Sequence, residues 1–551
     1  MKHRENVRFK TYDQNQPTML PPRLDELIPA DHQVRFINEV VDQMDLDQVY
    51  ATYQGGGTTS YHPRMLVKVL LYGYVQRIYS ARQLAKAVRE NVQFMWLAAG
   101  QTPDFRTINE FRKSRLAPTL KELFSQLMHQ LVELGLVDLS EYFVDGTKVE
   151  ANAGRYTAVW AKNTQRYKAA LDEQISELFD QIQQIADAED VQLGSADLAE
   201  LGEASPWSSE DVRRAADRIN EALAPAVDDK AEDSQEDSPD QGESAKKTEP
   251  ASPSMSKAGR RRLQQLLSKL AGDKLRRLQD YERQEQLLAG RKSYSKTDPD
   301  ATFMRGKHTP MSSMQLRGYY NLQLGTQNQF ILGYSLHSNA GDQVCLPQHL
   351  DQLDFRPQAL IGDAGYGTLA NYQQLHERRI TAYVKYPGYD GKPSPYDPRH
   401  MDYDLTADAY ICPQGRRLYY QRDRCQQRSG QQVRVRVYES PDCSGCPVSQ
   451  QCLSKNQQHR KFEVNPELNL WRSTTDRRLG SSPGNKLKKR RSPEVESVFG
   501  QLKQNDGLSR LVMRGKAMAE AEVGLKAIAH NLRRLHKTLV GQTDKMLPAW
   551  G

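Results

Sequence analysis

The chain lacks the features that would send a protein across or into a membrane. Its first residues, MKHRENVRFK, contain no apolar stretch of the kind a secretory signal needs, and no uninterrupted apolar run approaches the length of a membrane span. Cysteine is scarce, with six in 551 residues. That is too few for a disulfide-built scaffold, and four of the six cluster late in the chain, which favours metal over oxidation. These absences predict a soluble, cytoplasmic protein with no membrane partner. The length is ample for a large core and for more than one domain.

Charge of one sign is also missing on average, although not locally. Lys and Arg number 76 against 69 acids, a formal charge of +7. The stretch Asp228 to Glu249 is acidic and contains no Val, Leu, Ile or Met, whereas KLKKRR at Lys486 to Arg491 and the tail through Lys537 are basic. Without the acidic stretch the remainder is clearly cationic, which suits a polyanionic partner.

From Asp31 to Gly135 the periodicity is helical, with Phe36, Val40, Val41 and Met44 on one face and Leu66, Val69, Leu70 and Tyr74 on another. Pro63 fits a first helical turn and Ser80 fits an N-cap. A second helical region, Trp160 to Ala188, repeats apolar residues from Tyr167 to Ile185, and a matching stripe runs from Leu263 to Leu278. The simplest account is an antiparallel helical hairpin joined by a disordered acidic linker over about 226–256. YYNLQLGTQNQFILGYSLH predicts a β-hairpin, followed by a helix near Asp342 to Gln352, a strand ending at Asp363, another helix and the strand ITAYVKY.

Three carboxylates carry the chemistry. Asp145 in EYFVDGTK and Asp363 in ALIGDAGYG each end a short apolar run and are followed by Gly or Ala-Gly, as where a buried strand delivers a side chain to a sheet edge. Each on its own could be an ordinary turn residue. For a third acid the chain offers Glu494 and Glu496, about 200° apart around the helix that Pro493 is expected to begin. Glu496 shares its face with Gly500 and Lys503, a gap and a cation that could admit a phosphate backbone. Two strand-end aspartates and a helical glutamate can hold a pair of Mg²⁺ ions, which demand oxygen ligands.

In these residues the chain resembles the DDE transposases of bacterial insertion sequences, in the group carrying DGTK-x-x-A-N-A (Asp145 to Ala153), S-K-T-D-P-D-A (Ser295 to Ala301), G-D-x-G-Y-G (Gly362 to Gly367) and V-E-x-V-F-G-x-x-K (Val495 to Lys503). The resemblance covers most of the chain. It implies an α/β ribonuclease H-like catalytic core built from 138–155, 291–390 and 491–541, with an N-terminal helical domain at 1–137 that recognises element ends. It also implies Asp145, Asp363 and Glu496 as catalytic Mg²⁺ or Mn²⁺ ligands, Arg491 and Lys503 as DNA or phosphate contacts, and assembly as a homo-oligomer on two ends. The helical hairpin insertion would occupy 156–290. A bland reading of the N-terminal region is a helical scaffold that touches no DNA.

Cys412, Cys443, Cys446 and Cys452 lie in a small Cys-rich insertion at 391–490. A C-x-x-C knuckle with two further thiols suits a structural tetrahedral Zn²⁺, with Cys425 or His459 able to replace one ligand. Lys148, Arg510, Arg514, Lys516, Arg533 and Arg534 are further candidate DNA contacts, or else solubilising surface charges. The expected function is metal-dependent hydrolysis that frees a 3′-OH at the element ends, followed by attack of that hydroxyl on target DNA. The alternatives are a nuclease of the same fold and a retired transposase that only binds DNA.

Overall fold

The computed structural model describes residues 23–53, 60–189, 206–223, 255–306, 316–391, 394–428, 431–454 and 457–540. The acidic linker expected to be disordered lies outside the described residues. The chain divides into two compact units, one of Met1–Asn152 with Tyr320–Gly551 and one of Ala153–Tyr319.

The first unit opens with helices: α1 (Gln33–Gln43), α2 (Asp47–Ala51), α3 (Pro63–Val75), α4 (Ala81–Glu90), α5 (Val92–Leu97), α6 (Phe105–Glu110) and α7 (Ala117–Glu133). Pro63 starts α3, where its missing N–H costs nothing, and Ser80 stands at the N-cap of α4, though its hydroxyl makes no capping bond. Strand β1 (Glu141–Glu150) follows.

The second unit holds β2 (Ala158–Trp160), α8 (Ala161–Ala188), α9 (Ser209–Leu223), α10 (Lys257–Lys269), α11 (Leu275–Leu288), β3 (Ser293–Ser295) and β4 (Thr302–Met304). The expected two-helix hairpin is incomplete. The Leu171–Ile182 stripe of α8 and the Leu263–Leu278 stripe share one core with Trp207, Val212, Ala216 and Ile219 at and within α9. Charge-rich SEDVRRAADRINEAL hides its narrow apolar stripe, which is why pattern reading passed over α9.

Back in the first unit come β5 (Arg317–Gln327, whose first three residues pair with β4 inside the second unit), β6 (Phe330–His337), α12 (Asp342–Leu350), β7 (Ala359–Gly362), α13 (Leu369–Glu377) and β8 (Thr381–Val384). The sheet order is β6-β5-β1-β7-β8, with β1 central. Strands β5 and β6 are antiparallel, and the pairs β1–β7 and β7–β8 are parallel. The hairpin turns tightly on Asn328 and Gln329, both at positive φ. On β5, Gly325 is required by packing, because a Cβ there would lie 1.7 Å from the ring of Tyr142.

A separate antiparallel sheet, β13-β12-β11-β10-β9, comprises β9 (Asp402–Asp404), β10 (Ala409–Ile411), β11 (Arg417–Arg428), β12 (Gln431–Glu439) and β13 (Lys461–Val464), with the short α14 (Ser449–Cys452) between the last two. Helices α15 (Pro466–Gly480), α16 (Ser482–Arg491), α17 (Ser497–Gly500) and α18 (Lys516–Val540) complete the chain. Helix α18 packs on β6, α3 and α7. Its buried polar residues find partners: Glu522 accepts the N–H groups of Val512 and Met513 through one carboxylate oxygen, Lys526 donates to the Asp506 carbonyl, and Asn531 bridges Ile331 N–H and C=O.

Candidate active site

Asp145 sits in the middle of β1 instead of at its end. The strand continues because its far half is bonded to a later segment: Glu150 N–H donates to Ser509 C=O at 3.0 Å and Leu511 N–H to Glu150 C=O at 2.8 Å. Gly146 therefore marks a close approach and not a turn. A Cβ there would lie 2.2 Å from Asp342 Oδ1 and 2.4 Å from Gln323 Nε2.

Asp363 directly follows β7, where the sequence put it. Its carboxylate accepts the Gly365 N–H at 2.9 Å and caps the short turn Ala364–Tyr366. The parallel register pairs Phe143 with Ile361, so Asp145 and Asp363 each stand two residues past that pair. Side chains at matched positions of neighbouring strands project to one face, with strands about 4.8 Å apart. The buried Tyr366 reports the same convergence. Its phenol is pushed well above its ordinary pKa, first by burial and then by the negative fields of Asp342, Asp145 and Asp363.

Asp342, which opens α12, is the acid that sequence reasoning missed. Its Oδ1 accepts Asn321 Nδ2 at 2.8 Å and Gln323 Nε2 at 2.9 Å, and Gln323 in turn accepts the Tyr366 hydroxyl. The only sequence signal was its place at a helix start in NAGDQ, which by itself reads as a capping residue.

The third acid lies on a helix that begins earlier than expected. Ser481 caps α16 through Gly484 N–H, and the helical path runs on through a wide π-type turn at Ser492–Glu496. Pro493 is thus inside the path. Its ring and missing N–H are incompatible with regular α-helix, and the wide turn accommodates both. Glu494 is buried, accepting Gln329 N–H at 2.8 Å and Arg490 Nη2 at 3.2 Å. Glu496 is about half exposed and accepts Ser492 Oγ at 2.7 Å and Arg491 Nη2 at 3.3 Å. The other arm of the Arg491 guanidinium, Nη1, stands 3.7 Å from Asp145 Oδ2, so Arg491 joins the helical acid to the strand acid. Lys503 donates to the Thr147 hydroxyl on β1.

The donor set consists of carboxylate oxygens, suited to a hard divalent cation. Among the described residues no three His, Cys, Asp or Glu side chains close on one point as a bound metal requires, and Arg491 supplies the positive charge between Asp145 and Glu496.

Of the outlying cations, Arg510 pairs with Glu150 at 3.8 Å and Arg514 donates to the Asn152 carbonyl at 3.1 Å, both beside the end of β1. Lys148 lies on β1 itself. Arg533 is not a surface contact: it forms an ion pair with the buried Asp506 and donates to the Val75 carbonyl at 3.1 Å. Arg534 lies 5.2 Å over the Phe330 ring.

The late cysteines are all unbridged. Cys412 sits in the β10–β11 turn, Cys443 and Cys446 bracket a second turn with Gly445 at φ +64°, and Cys452 ends α14. Burial raises the pKa of the Cys452 thiol, opposed by Arg460 and reinforced by Cys443, Cys412 and Cys446. The Arg460 backbone N–H points at Cys443 Sγ, 3.3 Å away. Cys425 is exposed on β11.

Two family models match the chain. A transposase DDE domain matches residues 411–536, and a transposase domain (DUF772) matches residues 22–114. Both matches support a DDE-type transposase of the insertion-sequence kind. The DDE-domain match contains Glu496, Arg491 and the four clustered cysteines, and it begins beyond Asp145 and Asp363. Transposase domains act on DNA, and DDE transposases generally use a divalent metal. No curated protein and no solved structure matches the chain. Among the described residues no helix is long and apolar enough to cross a membrane.

Proposed function

We propose that this transposase hydrolyses a phosphodiester at each end of its insertion sequence and joins the freed 3′-OH to target DNA at the same site. The observation carrying this reading is the placement of Asp145 on β1 and of Asp363 just past the end of the parallel β7, each two residues beyond the Phe143–Ile361 pair, with Arg491 linking Asp145 to Glu496. The sheet order, with the first acid on the central strand and the second directly after its parallel neighbour, supports a ribonuclease H-like core. Asp145, Asp363 and Glu496 would hold Mg²⁺ or Mn²⁺, which when bound neutralises charge on the phosphate and favours attack by water or a 3′-OH.

In this reading Arg491 orients Asp145 and Glu496 toward one another, ready to accept the metal. Lys503, fixed on β1 by Thr147, presents a cation where a phosphate backbone would run. The N-terminal helices bind the element ends, Arg510 and Arg514 line the DNA path, and pairing of two ends calls for a homo-oligomer. The protein is cytoplasmic and reaches the nucleoid through DNA. Cys412, Cys443, Cys446 and Cys452 are proposed to hold a structural Zn²⁺, a reading supported by the thiol-rich chemistry of the turns that carry them and by the fields of the other three at the Cys452 thiol.

The test is incubation of the full chain with a duplex taken from the inverted repeats that flank its coding sequence. Mg²⁺-dependent nicking at the repeat boundary, lost in Glu496→Gln, supports the proposal. Cleavage at scattered sites would favour the plain nuclease, and binding with no cleavage the retired enzyme.

A further inference from the structure

The helical region of the first unit contains a cavity of about 940 Å³ whose lining no part of the cleavage chemistry uses. Four guanidinium groups, those of Arg82, Arg106, Arg112 and Arg115, line it against one carboxylate, Glu110. Aromatic rings are interleaved with them. Arg82 and Arg106 stand 4.9 and 5.8 Å from the ring of Phe105, which is 36% exposed at the start of α6, and Arg115 lies 3.8 Å over Tyr53. The frame is rigid. Arg112, only 6% exposed, ties the Tyr79 carbonyl and Asn109 together at 2.8 Å each, and Arg115 is fixed on Thr52. Guanidinium groups already stacked on rings are pre-organised to receive a further flat group and to donate to phosphate oxygens.

We propose that this cavity takes unpaired nucleotides of the DNA end. This rests on the reading of the chain as a transposase acting on DNA ends. Duplex phosphates would be satisfied by the cations alone, because paired bases keep their faces stacked on one another and leave the rings of the cavity unused. An unpaired nucleotide uses both components, with its base against Phe105 or Tyr61 and its phosphate on the arginines. The volume suits a small ligand and not a double helix. The exposed Val512 lines the same cavity, and its neighbour Leu511 is bonded to Glu150 at the end of β1. Five residues of strand separate Glu150 from Asp145, about 17 Å, so an end held here lies within a few nucleotides of the acids.

The test uses the full chain without divalent metal and a duplex from the flanking DNA, prepared either flush or with a two-nucleotide unpaired tail carrying 2-aminopurine. The tailed duplex should bind at least about fivefold more tightly than the flush one, with the 2-aminopurine emission quenched on binding. Phe105→Ala and Tyr61→Ala should shrink that preference, and Phe105→Trp should restore it relative to Phe105→Ala, with thermal melting confirming that each variant is folded. Equal binding of both duplexes by the wild type, or a preference that survives both alanine variants, overturns the proposal. Adding Mg²⁺ to the wild type separates the two readings. Cleavage without any tail preference overturns the nucleotide pocket alone, whereas neither binding nor cleavage of either duplex overturns the transposase reading with it.

Discussion

Glu494 accepts the backbone N–H of Gln329, at the tip of the β5–β6 hairpin, through a 2.8 Å hydrogen bond, while Glu496, two residues on, faces Arg491. The pair of neighbouring glutamates thus divides into one that holds the fold and one that faces the site. The sequence pattern puts Glu494 just inside a helix begun by Pro493. The structure buries it, so Glu494→Ala should leave the Gln329 N–H and Arg490 short of a partner and cost about 1–3 kcal/mol in denaturant unfolding. Glu496→Gln should leave stability within about 0.5 kcal/mol and abolish cleavage. An inactive but stable Glu494→Ala beside an active Glu496→Gln would exchange the two assignments.

Gly325 offers a test of the core that carries Asp145. A Cβ there collides with the Tyr142 ring, and the Tyr142 hydroxyl is bonded to His349 at 2.6 Å. Gly325→Ala should destabilise the protein by about 1–3 kcal/mol through overpacking. A melting temperature equal to wild type would show that β1 and β5 are less tightly apposed than described.

Burial lowers the pKa of His349 to about 3 and those of His337 and His530 to about 4. Each is depressed below the ordinary histidine value, so the unfolded chain binds protons first. The stability they contribute is complete above about pH 6.5 and is lost as pH falls toward 4, by at most about 1.4 kcal/mol per pH unit for each residue. Urea unfolding at pH 7 and pH 5 should show this loss, and a His349→Gln variant should show a shallower one. A wild-type stability that is flat between pH 7 and pH 5 would contradict neutral, buried histidines.

Purified protein should carry about one zinc per chain, lost together with Cys443→Ser and Cys446→Ser. Elemental analysis finding no zinc in folded, active protein would remove the Cys-rich sheet from the list of metal sites.

Much of this was legible in the sequence because local signals agreed. Pro63, Ser80, the β5–β6 hairpin and the short apolar run before Asp363 each led to the right element. What escaped depended on distant partners. The continuation of β1 past Asp145 needs Ser509 and Leu511, and the reason for Gly146 is the approach of Asp342 and Gln323. Burial of Glu494 needs Gln329, and the helix that carries Glu496 passes through Pro493 by a wide turn that periodicity does not anticipate. Arg533 looked like a surface cation because nothing near it in the chain reveals Asp506.

Asp145 and Asp363 are proposed to act in chemistry and not in folding. The most direct measurement pairs binding with cleavage: Asp145→Asn and Asp363→Asn are compared with wild type on one end-containing duplex, by gel shift without divalent metal and by nicking with Mg²⁺. Binding should stay within about threefold of wild type with no detectable nicking in either variant, a separation expected when a metal-binding charge is removed without loss of shape. Nicking at near wild-type rate in either variant would contradict it.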